Sequence, residues 1–235
     1  GQLCAAFDIM REELLKSNQE LWRQAEERKR LNAAFSHDLR NPITVLKGTV
    51  KLLRQDTADE QTIDRLESYT QRIEQYVEAM SSIQRLEQMP VRISEYSFSL
   101  LRSELENAAK LLAKSLKLFV STPDNGVIQL DHGLFLTVAE NLIGNAARFA
   151  KSKIIICLEQ RENFLLLSVA DDGPGYPVEL IQNGPKPFGK LNGDSAHFGM
   201  GLYSSQTLCL KHGGTLKLEN KTDHGATAIA SFQIN

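Results

Sequence analysis

From Leu3 the apolar residues fall at Phe7, Met10 and Leu14, then at Leu21, Leu31 and Phe35, a four-three alternation interrupted by Ser17, Gln24 and Arg28. That is a coiled-coil spacing. It continues through Leu39, Ile43, Leu46, Val50 and Leu53, after which Asp56-Thr57-Ala58-Asp59 supplies turn and N-cap chemistry. A second helix is predicted from about Glu60 to about Gln88, with Ile63, Leu66, Thr70, Ile73, Val77, Met80 and Ile83 on one face. Two antiparallel helices joined by a short loop cannot bury a stripe on each side, so a dimeric four-helix bundle is expected. The alternative is a monomeric hairpin packed on the rest of the chain.

Met89-Pro90 ends this pattern, since proline disfavours helix at the residue before it, and a domain boundary is placed there. Beyond it a strand is predicted near Tyr96 to Phe98, a helix over Leu101 to Leu116, and short strands around Phe119 and Val127 to Leu130. A helix follows from His132 to about Phe149. Lys153 to Glu159 and Phe164 to Ala170 read as buried strands in hairpin order. A last helix near Gly201 to Lys211 precedes Gly213-Gly214 and strands at Thr215 to Leu218 and Ala226 to Phe232. Helices alternating with antiparallel strands predict a two-layer α/β sandwich, so the fold class is α+β.

Composition narrows this picture. The 235 residues are 42% hydrophobic and 24% charged, which suits one large globular domain or two modest ones. A net charge of −2 gives no electrostatic reason to expect nucleic acid or an anionic membrane surface as partner. Cys4, Cys157 and Cys209 are odd in number and far apart, so neither a disulfide framework nor a zinc site is suggested, and a reducing setting fits best. No run approaches the roughly 18 apolar residues that cross a bilayer, and no signal-peptide pattern opens the chain.

The first candidate chemistry is Phe35-Ser36-His37-Asp38-Leu39-Arg40-Asn41-Pro42, within the long helical pattern. Asp38 is placed to hold the His37 imidazole tautomer and take its proton as the ring attacks. Pro42 leaves the Asp38 carbonyl without its helical partner, and a bend is expected beside that turn. The eight residues resemble the H box of bacterial sensor histidine kinases. The resemblance implies that His37 is autophosphorylated from ATP and passes the phosphoryl group to an aspartate of a response regulator receiver domain. It also implies, through Asn41 four residues after His37, a phosphatase activity toward that partner.

Gly1 to Lys16 are similar to the closing helix of a HAMP signalling domain, through Gly1, Leu3, Phe7 and Met10. That likeness implies an upstream sensor and transmembrane helix, and hence the cytoplasmic portion of a bacterial membrane protein, with the membrane met only through segments outside this sequence.

The second candidate site opens with Glu140-Asn141-Leu142-Ile143-Gly144-Asn145-Ala146-Ala147-Arg148-Phe149. Asn141 and Asn145 share a helix face, where a carboxamide oxygen can coordinate Mg²⁺ beside ATP phosphates. Asp171-Asp172-Gly173-Pro174-Gly175 follows a predicted strand, where a carboxylate can accept from an exocyclic amine and glycines let backbone approach a flat base. His197-Phe198-Gly199-Met200-Gly201-Leu202 opens the last helix, whose amide hydrogens and dipole favour phosphate. In this order the motifs resemble the N, G1 and G2 boxes of the histidine kinase ATP-binding domain in the GHKL superfamily.

The resemblance implies that Asn145 ligates the metal and Asn141 assists, with Arg148 near phosphate and Phe149 near the nucleotide. It assigns Asp171 to the adenine amine, and Gly173, Gly175, Gly199, Gly201 and Leu202 to the nucleotide-binding boxes. His197 and Met200 depart from the usual G2 glycine and leucine, which implies altered lid dynamics. Residues 183–198 are expected to form a mobile lid, with Pro187 to Lys190 similar to a shortened F box, Phe188 as anchor and Lys190 toward the γ-phosphate.

The sequence is therefore read as a homodimeric kinase core with ATP and Mg²⁺ as cofactors. Residues 1–16 are a HAMP-like tail, 17–90 the dimerisation and phosphotransfer hairpin, and 91–235 the ATP-binding domain. Two alternatives stay open, a degenerate scaffold that transfers nothing and a GHKL ATPase outside signalling. Asn141 argues against the second, since the hydrolysing relatives carry a glutamate there.

Overall fold

The computed structural model of the chain describes residues 2–53, 60–186, 200–221 and 225–234. Two compact units are present, Gly1–Met80 and Ser81–Asn235.

The first unit holds helix α1, Gln2–Leu53, and most of helix α2, Glu60–Gln88. α1 runs through Pro42, whose missing N–H removes one bond from a 52-residue ladder. Hydroxyls add bonds on either side of that turn: Ser36 Oγ donates to the Asn32 carbonyl at 2.8 Å and Thr44 Oγ1 to the Arg40 carbonyl at 2.7 Å. Pro42, Thr49, Thr62 and Tyr76 are buried. Much of the apolar seam is not. Phe7, Met10, Leu14 and Leu21 are exposed, and Trp22 is 73% exposed, in a single chain. Among the described residues, no helix is long and apolar enough to cross a membrane.

The second unit is a two-layer sandwich. Strands β1, Ser94–Ser97, and β3, Val127–Leu130, form a small antiparallel sheet. The main sheet runs β2, Lys117–Ser121; β4, Lys153–Arg161; β5, Phe164–Asp171; β7, Ala226–Gln233; β6, Leu216–Asn220, in that spatial order. β4, β5 and β7 alternate between buried and more exposed positions along much of their length, as strands covered on one face do. Ile154, Ile156, Leu165, Leu167, Ala230 and Phe232 join one core. Helices α3, Phe98–Leu112, α4, His132–Phe149, and α6, Met200–Lys211, supply its other layer through Leu105, Phe135, Ile143 and Leu208. Cys209 lies in that core, where burial pushes its thiol up to about 12 and leaves it unreactive.

Most elements stand where the hydrophobic pattern puts them. α3 starts earlier than predicted because Ser97 caps it, accepting from the Leu100 N–H at 3.3 Å. It ends at Leu112, and the following turn, closed by Leu116 N–H to the Ala113 carbonyl at 3.1 Å, releases Lys117 into β2. β2 pairs with β4 in parallel, not antiparallel, Lys117 opposite Lys153, because β3 and α4 intervene as a crossover long enough to return the chain in the same direction. A short helix α5, Val178–Asn183, was not predicted.

The end of α2, from Ser81, is part of the second unit. Ile83 is buried, Leu86 packs against the core, and Lys211 Nζ donates to the Leu86 and Met89 carbonyls, each at 2.6 Å. These satisfy carbonyls that a helix C-terminus otherwise leaves without partners. Next to Lys211, His212 Nε2 accepts the Asp131 N–H at 2.8 Å. The Asp131 carboxylate caps α4 through Leu134 N–H at 3.0 Å and accepts Arg92 N–H at 2.6 Å.

Candidate nucleotide and phospho-acceptor sites

Two sequence-predicted sites lie in separate units. In the first, His37 is exposed on α1 with Asn41 exposed one turn later, between half-buried Phe35 and Leu39 and buried Pro42. The Asp38 side chain lies outside the described residues.

In the second unit, Asp171 ends β5 opposite Ile154, on the face that the helices cover. Its Oδ1 accepts from the Gly173 N–H at 2.7 Å and from the Ala226 N–H at 3.4 Å, and among the described residues neither bond uses Oδ2. Burial pushes this carboxyl above the ordinary aspartate value. The two backbone N–H groups oppose that rise, the Asp172 charge adds to it, and Lys221 opposes it weakly.

Asp172 is bound in the opposite sense. It accepts from the Ser152 hydroxyl and from the N–H groups of Lys151 at 2.8 Å, Ser152 at 3.0 Å and Lys153 at 3.3 Å. The Ser152 bonds first, with Lys153 and Lys151 adding, hold it well below the usual carboxylate range. Asp172 therefore fastens the turn between α4 and β4.

The glycines of this turn have a geometric reason. A Cβ on Gly173 would stand 2.4 Å from the Phe149 carbonyl, so only glycine lets the end of α4 dock on the turn after β5. Gly175 has φ +90°, and a Cβ there would meet Asn220 Oδ1 at 2.9 Å. Asn220 in turn holds the next residue by both backbone groups: Tyr176 N–H donates to its Oδ1 at 2.7 Å and its Nδ2 donates to the Tyr176 carbonyl at 2.8 Å.

That docking brings the end of α4 beside the Asp171 turn. Asn145 Nδ2 donates to the Tyr176 hydroxyl at 3.3 Å. The phenol is buried, and burial, with the Asp171 charge, pushes its pKa far up against the opposing Asn145 bond. Asn141 faces the start of α6, its Oδ1 3.6 Å from where a Gly201 Cβ would sit. Arg148 lies with its guanidinium carbon 5.5 Å from the Phe149 ring centroid, and Leu202 is buried in the core. Phe188, Lys190, His197, Phe198 and Gly199 lie outside the described residues. Tyr176 and Asn220 are site residues that the motifs do not announce.

The residues present fit a Mg-nucleotide. A buried carboxylate with an oxygen to spare suits an exocyclic amine, and two carboxamides supply the hard oxygen donors that Mg²⁺ takes. Among the described residues, no group of three or more His, Cys, Asp and Glu side chains could hold a metal.

Comparison with known proteins finds two domain families along the chain. Residues 27–88 match the His Kinase A (phospho-acceptor) domain, and residues 131–235 match the histidine kinase-, DNA gyrase B- and HSP90-like ATPase family. The sensor histidine kinase YclK of Bacillus subtilis is 24% identical over 251 residues, covering 100% of this chain and 52% of YclK. The sensor protein KdpD of Escherichia coli is 32% identical over 231 residues, covering 90% of this chain and 25% of KdpD. The histidine kinase AdeS of Acinetobacter baumannii has a similar fold, with a TM-score of 0.58 at 21% identity over 85% of this chain and 98% of the AdeS chain. This chain thus spans about half of YclK and a quarter of KdpD. With a phospho-acceptor domain around His37 and an ATPase domain around Asp171, the chain belongs to the sensor histidine kinases, as the core of one.

Proposed function

We propose that the chain binds Mg-ATP in the Asp171 pocket, phosphorylates its own His37, and passes the phosphoryl group to an aspartate of a response regulator receiver domain. The observation that carries this reading is the presence in one chain of an exposed histidine on the phospho-acceptor helix and a buried, amide-bound carboxylate at a glycine turn. Asp171 selects adenine by accepting its amino hydrogen, with the Gly173 and Ala226 N–H groups keeping the carboxylate in place. Asn145 and Asn141 hold Mg²⁺, which when bound neutralises charge on the triphosphate. Arg148 lies near the phosphates and Phe149 near the nucleotide, Lys190 belongs to the closing lid, and Gly199 and Gly201 to the glycine box at the start of the last helix.

At His37 the ring nitrogen bonds to the γ-phosphorus as the bond to the ADP oxygen breaks, and Asp38 takes the ring proton. Asn41, one turn on, positions a water for dephosphorylation of the regulator. The exposed seam of α1, with Trp22 beside it, supports a homodimer in which a second copy covers it. We assign residues 1–16 to a HAMP-like tail, 17–90 to the hairpin and 91–235 to the ATP-binding domain, in the cytoplasmic part of a membrane sensor. Incubation with γ-labelled ATP tests the reading: an acid-labile, base-stable label on His37 is expected, and its absence contradicts it.

A further inference from the structure

We propose that Tyr176 is a positioning residue for the metal: its hydroxyl holds the Asn145 carboxamide by the nitrogen end and so turns Oδ1 toward Mg²⁺. This rests on the reading of Asn145 as a metal ligand.

A primary carboxamide has two nearly isosteric ends, and only the oxygen can ligate a cation. An Asn rotated by half a turn would present N–H hydrogens to Mg²⁺. In this structure the nitrogen end is the one engaged, Asn145 Nδ2 donating to the Tyr176 hydroxyl at 3.3 Å. The negative charge of Asp171 acts on the same hydroxyl.

Tyr176 is itself fixed. Its ring is buried in the core and both of its backbone groups are held by Asn220, at 2.7 and 2.8 Å. Gly175 brings the chain against Asn220 in a backbone conformation, φ +90°, that side-chain-bearing residues rarely adopt. The chain of support thus runs from Asn220 through the Tyr176 backbone and ring to the Asn145 amide, the arrangement by which outer contacts orient metal ligands.

The test is calorimetric titration of the whole chain with ATP, once in excess Mg²⁺ and once in EDTA, for the parent, Tyr176→Phe, Asn145→Ala and the double variant. Tyr176→Phe should weaken ATP binding about three- to tenfold in Mg²⁺, the scale of one hydrogen bond, and change it less than twofold in EDTA. In the Asn145→Ala background the same substitution should have no metal-dependent effect. Equal weakening in both buffers, no weakening in either, or an undiminished effect without Asn145 would overturn the role of Tyr176 while leaving Mg-ATP binding intact. A parent chain that binds ATP equally with and without Mg²⁺ overturns the metal reading and this inference together.

Discussion

Asp171 and Asp172 are adjacent in the chain and opposed in environment: one is buried against two backbone amides with its carboxyl pushed up, the other is wrapped by Ser152 and three amides and held far down. The division separates binding from stability, and substitution by asparagine distinguishes the two.

For Asp171→Asn the carboxylate proposed to meet the adenine amine becomes a carboxamide. ATP binding should weaken about 10- to 100-fold, the range for a hydrogen bond to a charged group. Calorimetry checks this, with Asn145→Ala as the companion whose loss is confined to Mg²⁺-containing buffer.

For Asp172→Asn the loss is in stability, with a defined pH dependence. A carboxyl whose folded pKa is depressed stabilises fully above its unfolded value, near pH 4, and loses that contribution as pH falls toward the folded value. The variant should therefore melt below the parent at pH 7, with the gap narrowing only below about pH 4. Asp171 has the reverse sign, its raised carboxyl opposing folding once pH rises above the unfolded value. Thermal melts across pH 3 to 8 check both.

The ties between Lys211 and the end of α2 bear on where a stable ATP-binding fragment begins. Lys211→Met, which removes the donors to Leu86 and Met89, should cost about 1 kcal/mol, or roughly 2–4 °C in melting temperature. A fragment of residues 81–235 should melt above one of residues 91–235. Both should bind ATP as monomers; calorimetry and light scattering read the outcome.

Asn41→Ala should keep autophosphorylation and slow dephosphorylation of the regulator, since Asn41 shares a helix face with His37. Both rates measured on one preparation with the cognate regulator decide it; unchanged dephosphorylation removes Asn41 from the catalytic residues.

The sheet was legible because β4 and β5 are long and apolar: Ile154 to Leu158 and Leu165 to Val169 are strands under any register. The parallel direction of β2 was not, because Leu118 and Val120 alternate identically in either sense and only the intervening crossover sets direction. α5 escaped notice since six residues carry too little periodicity to read. In the site, Asp171, Gly173 and Asn145 were legible only through the resemblance of their motifs to the N and G1 boxes, since each motif alone is an ordinary helix face or turn. The Asn145–Tyr176 and Tyr176–Asn220 bonds span 31 and 44 residues and depend on the docking of α4, which no local pattern encodes.

The central claim is that His37 receives the phosphoryl group of ATP bound at Asp171. The direct measurement is label transfer from γ-labelled ATP to the parent and to His37→Gln, with nucleotide affinity determined on both. An acid-labile label on the parent, none on the variant and equal affinity for ATP are expected. Persistent acid-labile label on His37→Gln would contradict the account.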